Sequence, residues 1–428
     1  MSEYKCPDEY LQAVQNHIEW KRAKSVATSE LADHIQDQYF AFLESGYDNQ
    51  QSMEKAIAEM GDAELVGKEL NRIHQPKINW AIVLLTGLFL LAGIITSIAT
   101  TPLADIIPKF AGIAIGCIAA GIVCFLDYTL ILRFPRIIYC TLLLLTILSF
   151  LFDARNGISL INYSYTFYLL MIFPLAIIGV AFHIKSNPST SGLIVFILYA
   201  VPPIFLSVLI SSQSALLVLS LSVVSIIIYI VKQKWARIDK NNIIGVACIL
   251  LVLGIGIHYV QMITNSSNVL SIRQDNFTYM FLTDMIKTAP FAGNSSISLN
   301  TASLSILKDR PIALLIMNYG VISVILLSIL FAVLLFLVFR IGKRQNTDVG
   351  RLISHIIVLI ISLQLLCAIL TDIGVFNAFS MCLPFVTSGG IFTIYNLLLI
   401  GVLLSVNRNE DIAKDWIRLK DKVAHSYE

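Results

Sequence analysis

The chain has 428 residues, 57% of them hydrophobic and only 14% charged, with a mean hydropathy of +0.77, which is too apolar for an ordinary soluble domain and points to many membrane spans. A formal net charge of +2 argues against a nucleic-acid partner. The charge is unevenly spread: residues 1–77 hold 8 lysines and arginines against 14 acids, a net of −6, and the other 351 residues hold 22 against 14, a net of +8.

From Asp8 to Ile73 apolar residues recur at helical spacing. The pattern predicts a helix over 8–21, a second over 29–45 with Leu31, Ile35, Tyr39 and Phe42 on one face, and two shorter helices over 52–60 and 62–73. Ser29 is the expected N-cap of the second helix, Gly46 its stop, and Gly61-Asp62 a stop-and-cap pair. Residues 1–77 therefore read as a small helical cytoplasmic domain ahead of the membrane. Six of the seven cysteines lie in or beside apolar runs and Cys6 stands alone. No CxxC or Cys/His spacing suggests a disulfide framework or a metal site. The opening MSEYKCPDEY has no basic stretch leading into an apolar one, so no cleavable signal peptide is expected.

Ten apolar stretches approach the roughly 20 residues a helix needs to cross a hydrocarbon core. They fall near 79–99, 108–126, 136–152, 164–182, 192–210, 213–231, 242–262, 312–339, 351–371 and 385–406, and Pro202-Pro203 should bend the fifth. Connections on one side carry eleven bases, from Arg133 to Arg351, against Asp127, Asp239 and Asp348. The other side carries Lys109, Arg155, Arg273, Lys287, Lys308 and Arg310 against six acids. By the positive-inside rule the first set is cytoplasmic, which puts both termini, including the tail 408–428, in the cytoplasm. In the second stretch Gly112, Gly116 and Ala120 recur every four residues, a face suited to close helix packing. The longest connection, 263–311, faces outside, and loops of that length are commonly functional.

No phosphate-binding loop, zinc-protease, nucleophile-elbow or dinucleotide motif is present. The nine acids between residues 78 and 406 sit at or near span ends, which weakens a proton-coupled transporter. Asp309-Arg310-Pro311 reads equally as a helix start, with an aspartate cap and proline in the first turn. His183, His258 and His355 read as interfacial polar residues.

Two stretches carry family resemblances. Residues 29–77, with Glu30-Leu31, His34-Ile35, Met60-Gly61-Asp62 and Gly67-Lys68-Glu69-Leu70, resemble the permease-prefix or HAAS-type helical domain, which implies an interaction or regulatory module. LPFVTSGG at 383–390, followed by Asn396, Ile400-Gly401 and LLSVNR, resembles the LPFxSYGG…N…iGlllSixR signature of the SEDS family (FtsW, RodA, SpoVE). KDRPIALLIMNYGVIS at 308–323 aligns with that family's motif before its eighth span, placing Asp309 on the catalytic aspartate and Gly320 on a glycine. The departures are plain. Met317 and Asn318 replace a glutamate pair, Ser388 stands at the tyrosine of SYGG, SSQSA at 211–215 replaces a QPD segment, and Gly293-Asn294 is what remains of a GxGxG-like stretch.

The resemblance implies an all-α bacterial plasma-membrane protein of about ten spans in peptidoglycan synthesis, linked to cell shape, division or sporulation. It implies polymerisation of lipid II, with Asp309 as base and a class B penicillin-binding protein as partner. Lys287, Lys308, Arg310 or a divalent cation (Mg²⁺ or Mn²⁺) could then face the pyrophosphate, with Ser388, Gly389 and Gly390 also lining the substrate site. A lipid-facing groove along the bent fifth span would take the polyprenyl tail. A non-catalytic scaffold for a penicillin-binding protein and a flippase of lipid-linked precursors remain alternatives.

Overall fold

The computed structural model describes residues 6–76, 78–100, 103–155, 165–186, 190–210, 212–233, 235, 256, 269–294, 310–372, 381–386 and 390–409. All regular structure among them is helical. The chain divides into two compact units, Met1–Ile78 with Gln345–Thr347 and Asn407–Glu428, and Asn79–Arg344 with Asp348–Val406.

The first unit contains α1 (Pro7–Asn16), α2 (Lys21–Glu44), α3 (Asn49–Glu59) and α4 (Ala63–His74). The expected start at Ser29 is not used: α2 begins eight residues earlier and takes Ser29 inside it. Tertiary burial decides this, because Ala23, Val26 and Ala27 pack into one core with Tyr10, Val14, Ile18, Ala56 and Ile57, and an apolar stripe outweighs a cap worth about 1 kcal/mol. Gly46 and the Gly61-Asp62 pair act as expected, and Asp48 adds a cap that the sequence reading does not include. Gly46 and Gly61 adopt left-handed backbone with φ of 92° and 82°, Asp48 accepts from the Gln51 N–H at 2.7 Å, and Asp62 accepts from that of Glu64 at 2.8 Å. On the surface, a hydrogen bond from Lys68 holds the Glu64 carboxyl below its ordinary pKa.

The second unit is the membrane body. Its helices are α5 (Trp80–Thr100), α6 (Leu103–Phe125), the short α7 (Leu130–Arg133), α8 (Pro135–Arg155), α9 (Tyr165–Ser186), α10 (Thr190–Leu209) and α11 (Gln213–Lys232). After these come α12 (Val269–Thr288), α13 (Pro311–Tyr319), α14 (Val321–Arg344), α15 (Asp348–Asp372) and α16 (Gly390–Arg408). Eight of the described helices, α5, α6, α8, α9, α11, α14, α15 and α16, are long and apolar enough to cross a membrane, and α10 adds a shorter apolar segment, Ile194–Leu209. The stretch at 242–262 lies outside the described residues apart from Gly256.

α9 is apolar all round and correspondingly buried; Leu170, Met171, Phe173 and Ile177 have no exposure, and α8, α10, α11 and α15 pack around it. The small-residue face of α6 is used within the chain. A Cβ on Gly112 would lie 2.5 Å from the Gly390 backbone, one on Gly116 would lie 2.6 Å from the Leu397 side chain, and one on Gly401 would lie 2.7 Å from the Ala120 carbonyl. α6 and α16 therefore meet nearly backbone to backbone.

Two spans depart from the hydropathy reading. The stretch at 312–339 is two helices, α13 and α14, parted at Gly320 with φ of 82°. The last span begins at Gly390 rather than 385, and the preceding residues 381–386 are buried without being helical; Phe385 there takes a left-handed φ of 64°.

Candidate functional site

The long connection that precedes α13 is partly structured. α12 packs Leu282 and Met285 against Ala313, Leu314 and Met317 of α13, and Lys287 lies exposed in its last turn. The chain then runs beneath the α13–α14 break. Gly293 N–H donates to the Tyr319 carbonyl at 3.2 Å, while the N–H groups of Val321 and Ile322 donate to Pro290 and Phe291 at 3.2 and 3.0 Å. A Cβ at Gly320 would lie 2.8 Å from both the Pro290 and Phe291 carbonyls. Closeness and positive φ together leave only glycine at this point.

The start of α13 is held by the end of α15. Arg310 occupies the N-cap position without capping through its side chain, Pro311 brings no N–H, and the Ile312 N–H donates to Asp372 Oδ2 at 2.7 Å. In return the Arg310 guanidinium donates to the Thr371 carbonyl. A carboxylate thus meets a helix N-terminus and a cation meets a helix C-terminus, each the favourable pairing for the peptide dipoles. Asp372 is 3% exposed.

The described parts of the signature segment, 383–386 and Gly390, lie against α5 and α6. At Gly93 a Cβ would lie 2.7 Å from the Phe385 carbonyl, 3.0 Å from Val386 Cα and 3.2 Å from Lys109 Nζ. At the other flank, a Cβ on Gly390 would lie 2.5 Å from the Pro108 carbonyl. Lys109 ties the two walls, donating to the Gly93 carbonyl and to Ser97 Oγ at 2.6 Å. Asn396 is buried, its amide donating to Phe392 in the preceding turn at 3.0 Å.

Of the residues singled out from sequence, Arg310 and Gly390 are packed into these two junctions and Lys287 lies on the exposed face of α12. Lys308, Asp309, Ser388 and Gly389 lie outside the described residues. Two further residues were not singled out. Lys109, counted with the bases of an outer connection, is instead 1% exposed inside α6, and the available signal was a lone charge following Pro108 in an apolar run. Asp372 stood in the sequence as a span-end acid, and nothing local marks a contact 60 residues away. A separate apolar cavity of about 480 Å³ lies elsewhere in the body. It is lined by Leu126, Ile131, Ile138, Leu142, Leu175 and Val402, among others, and is shaped by α6, α7, α8, α9 and α16. Among the described residues no group of three or more His, Cys, Asp and Glu side chains could hold a metal ion.

Residues 307–412 match the family model FTSW_RODA_SPOVE, described as cell cycle protein. Over these residues the chain is similar to the FtsW/RodA/SpoVE family. Solved structures of similar fold include a chain from a peptidoglycan synthase complex that coordinates polymerization and crosslinking, 15% identical with a TM-score of 0.60. Two others are the rod shape determining protein RodA of Thermus thermophilus, 14% identical with a TM-score of 0.55, and a point mutant of it, 15% identical at 0.54. Each comparison covers 78% of this chain and 98% of the other. No curated protein sequence matches the chain. Within the FtsW/RodA/SpoVE motif, the substitution at Met317 now has a physical account: its side chain is buried against α12, where an ionised glutamate would be costly.

Proposed function

We propose that this chain acts in peptidoglycan synthesis as an inverting glycosyltransferase that polymerises lipid II at the outer membrane face, with a class B penicillin-binding protein as partner. A hydroxyl of the acceptor saccharide attacks the anomeric carbon of the lipid-linked donor. The bond from that carbon to the diphosphate oxygen breaks, undecaprenyl diphosphate leaves with the bonding electron pair, and the Asp309 carboxylate takes the hydroxyl proton. Lys287 and Lys308 offset the charge that develops on the diphosphate.

The observation that carries this reading is the paired cap at the start of α13. Asp372 receives the first helical N–H and Arg310 is anchored on Thr371, so the start of α13 is secured from α15 beside the position that the family resemblance makes the base. Arg310 then acts chiefly as the anchor of the segment. The acidic N-terminal unit, with its resemblance to permease-prefix domains, serves as a cytoplasmic control module.

The test is incubation of labelled lipid II with the purified full chain in nanodiscs. Wild type should form polymer, and Asp309→Asn should lower the rate by about 10²-fold or more. One finding favours a scaffold as the second reading: Met317 replaces an acidic motif residue and docks α12 by apolar packing. If the chain is a scaffold, no polymer forms, and a penicillin-binding protein co-purifies equally with wild type and Asp309→Asn. Transfer of lipid II between leaflets without polymer would instead mark a flippase.

A further inference from the structure

The apolar cavity of about 480 Å³ owes its shape to α7. Helices that follow one another in the chain usually lie side by side, but the turn of α7 stands between α6 and α8. It leans on α9, where a Cβ on Gly179 would lie 2.5 Å from the Ile131 carbonyl and 3.2 Å from Pro135 Cβ. α8 packs on α9 as well. The end of α6 is held to α16 instead, with Ser405 Oγ donating to the Leu126 carbonyl at 2.6 Å and accepting the Tyr128 N–H at 3.1 Å. Two pairs of helices thus diverge from one wedge. The one carboxylate in the lining, that of Asp127, accepts from the Thr129 N–H at 3.0 Å and from the Thr129 hydroxyl. The polar groups of the turn are thereby spent on the turn itself, and the remaining wall is apolar.

Place and charge narrow what fills this cavity. Leu126, Ile137 and Leu145 belong both to its lining and to the exposed surface of the membrane body, so it opens towards lipid. An apolar void there forfeits dispersion contacts unless a hydrocarbon chain enters it, and its wall offers a water-soluble ligand little to bind. The mouth is marked by charge. Arg133 ends α7 and Arg136 is the second residue of α8, and both are exposed. The lining residues Leu130 and Ile131 precede this pair, and Ile137 and Ile138 follow it, so arginines and mouth share one turn. Between them Phe134 is exposed, with the Arg133 guanidinium 5.4 Å from its ring centre, as suits an aromatic at a membrane interface. By the positive-inside rule this turn faces the cytoplasmic leaflet.

We propose that this wedge is a binding site for one anionic glycerophospholipid of the cytoplasmic leaflet. One acyl chain enters the cavity between α6 and α8, and the phosphate takes charge-assisted hydrogen bonds from Arg133 and Arg136. An apolar slot beneath paired arginines fits a lipid with a single negative headgroup better than a neutral one. The bound lipid joins the α6–α16 pair to the α8–α9 pair across the gap that α7 creates. The site is separate from the lipid II reading above, which concerns chemistry on the outer face.

The experiment is native mass spectrometry of the full chain in detergent, titrated with phosphatidylglycerol and with phosphatidylcholine of the same acyl chains. Wild type should take up one phosphatidylglycerol about tenfold or more tightly than phosphatidylcholine. The double variant Arg133→Gln/Arg136→Gln should bind the two lipids within twofold of each other. Thr141→Trp, at an exposed position in the cavity lining, should fill the slot and weaken both. Equal wild-type affinities, a preference that survives in the folded double variant, or unchanged binding to folded Thr141→Trp would each overturn the proposal. Undecaprenyl diphosphate should leave the bound phosphatidylglycerol in place; one-for-one displacement would give the cavity to a lipid-linked substrate and overturn the proposal too. A last measurement needs only wild type. Phosphatidylglycerol with a photoreactive diazirine in one chain should label the peptides that hold Leu142 and Leu175, and labelling confined to other peptides would refute the site whether or not the variants fold.

Discussion

Asp372 takes a task that the local sequence would assign to Asp309. Asp-Arg-Pro is a sound helix-start pattern, and from sequence alone the aspartate in it is as good a cap as a base. The carboxylate that accepts the Ile312 N–H comes from 60 residues away, a contact no local pattern encodes. Asp372→Ala should therefore lower unfolding free energy by about 1–2 kcal/mol, and Asp372→Asn, which keeps an acceptor oxygen, by less. Thermal unfolding in nanodiscs checks both; a larger loss in Asp309→Ala than in Asp372→Ala would assign the cap to Asp309. Gly320 makes a second prediction at this scale. Its φ of 82° and the two carbonyls 2.8 Å from a would-be Cβ mean that Gly320→Ala should cost about 1–3 kcal/mol. Exchange protection of the Val321 and Ile322 amides should fall with it, since these donate to the segment under the break.

Helices were legible in the sequence wherever hydropathy changed, and illegible where it did not. The α13–α14 break falls inside an unbroken apolar run, so only the motif glycine could have marked it; the segment that requires it, 290–293, is distant in hydropathy as well as in kind. Hydropathy likewise starts the last span five residues before α16, because Phe385 and Val386 are apolar enough to pass as span. The small-residue face of α6, by contrast, follows directly from spacing, and its partner α16 carries the matching Gly390 and Gly401. Gly112→Leu should separate these helices, since its first side-chain atom already meets backbone at 2.5 Å. Overpacking of this kind costs about 1–3 kcal/mol and backbone shifts. Gly121→Leu, where a Cβ meets nothing within 4 Å, should be tolerated. Comparing the yield and melting temperature of the two variants tests the contact, and equal behaviour would deny that the stripe packs on α16.

For the whole molecule, composition marks the membrane class, positive-inside charge yields an expected orientation, and the 383–390 signature carries the family resemblance. The seating of that signature between α5 and α6 was not legible, because the lysine that ties those walls looks in sequence like an ordinary interfacial base. The acidic N-terminal unit and the apolar body have their own cores, and we expect them to divide control from chemistry. Deletion of residues 1–77 should leave intrinsic polymerisation within about twofold while altering regulation or partner choice; a folded truncation without activity would refute that division. We expect both termini in the cytoplasm, so the exposed Cys6 should resist an impermeant maleimide in intact cells and react once the membrane is opened.

The central claim is that Asp309 performs chemistry rather than holding a helix, and one paired measurement addresses it. Initial rates of glycan-strand formation from lipid II and melting curves are recorded on the same preparations of wild type and Asp309→Ala. We expect the variant to lose polymerisation while melting as wild type does. Polymer formed at the wild-type rate by Asp309→Ala, or a loss of rate matched by a loss of folded protein, would contradict the account.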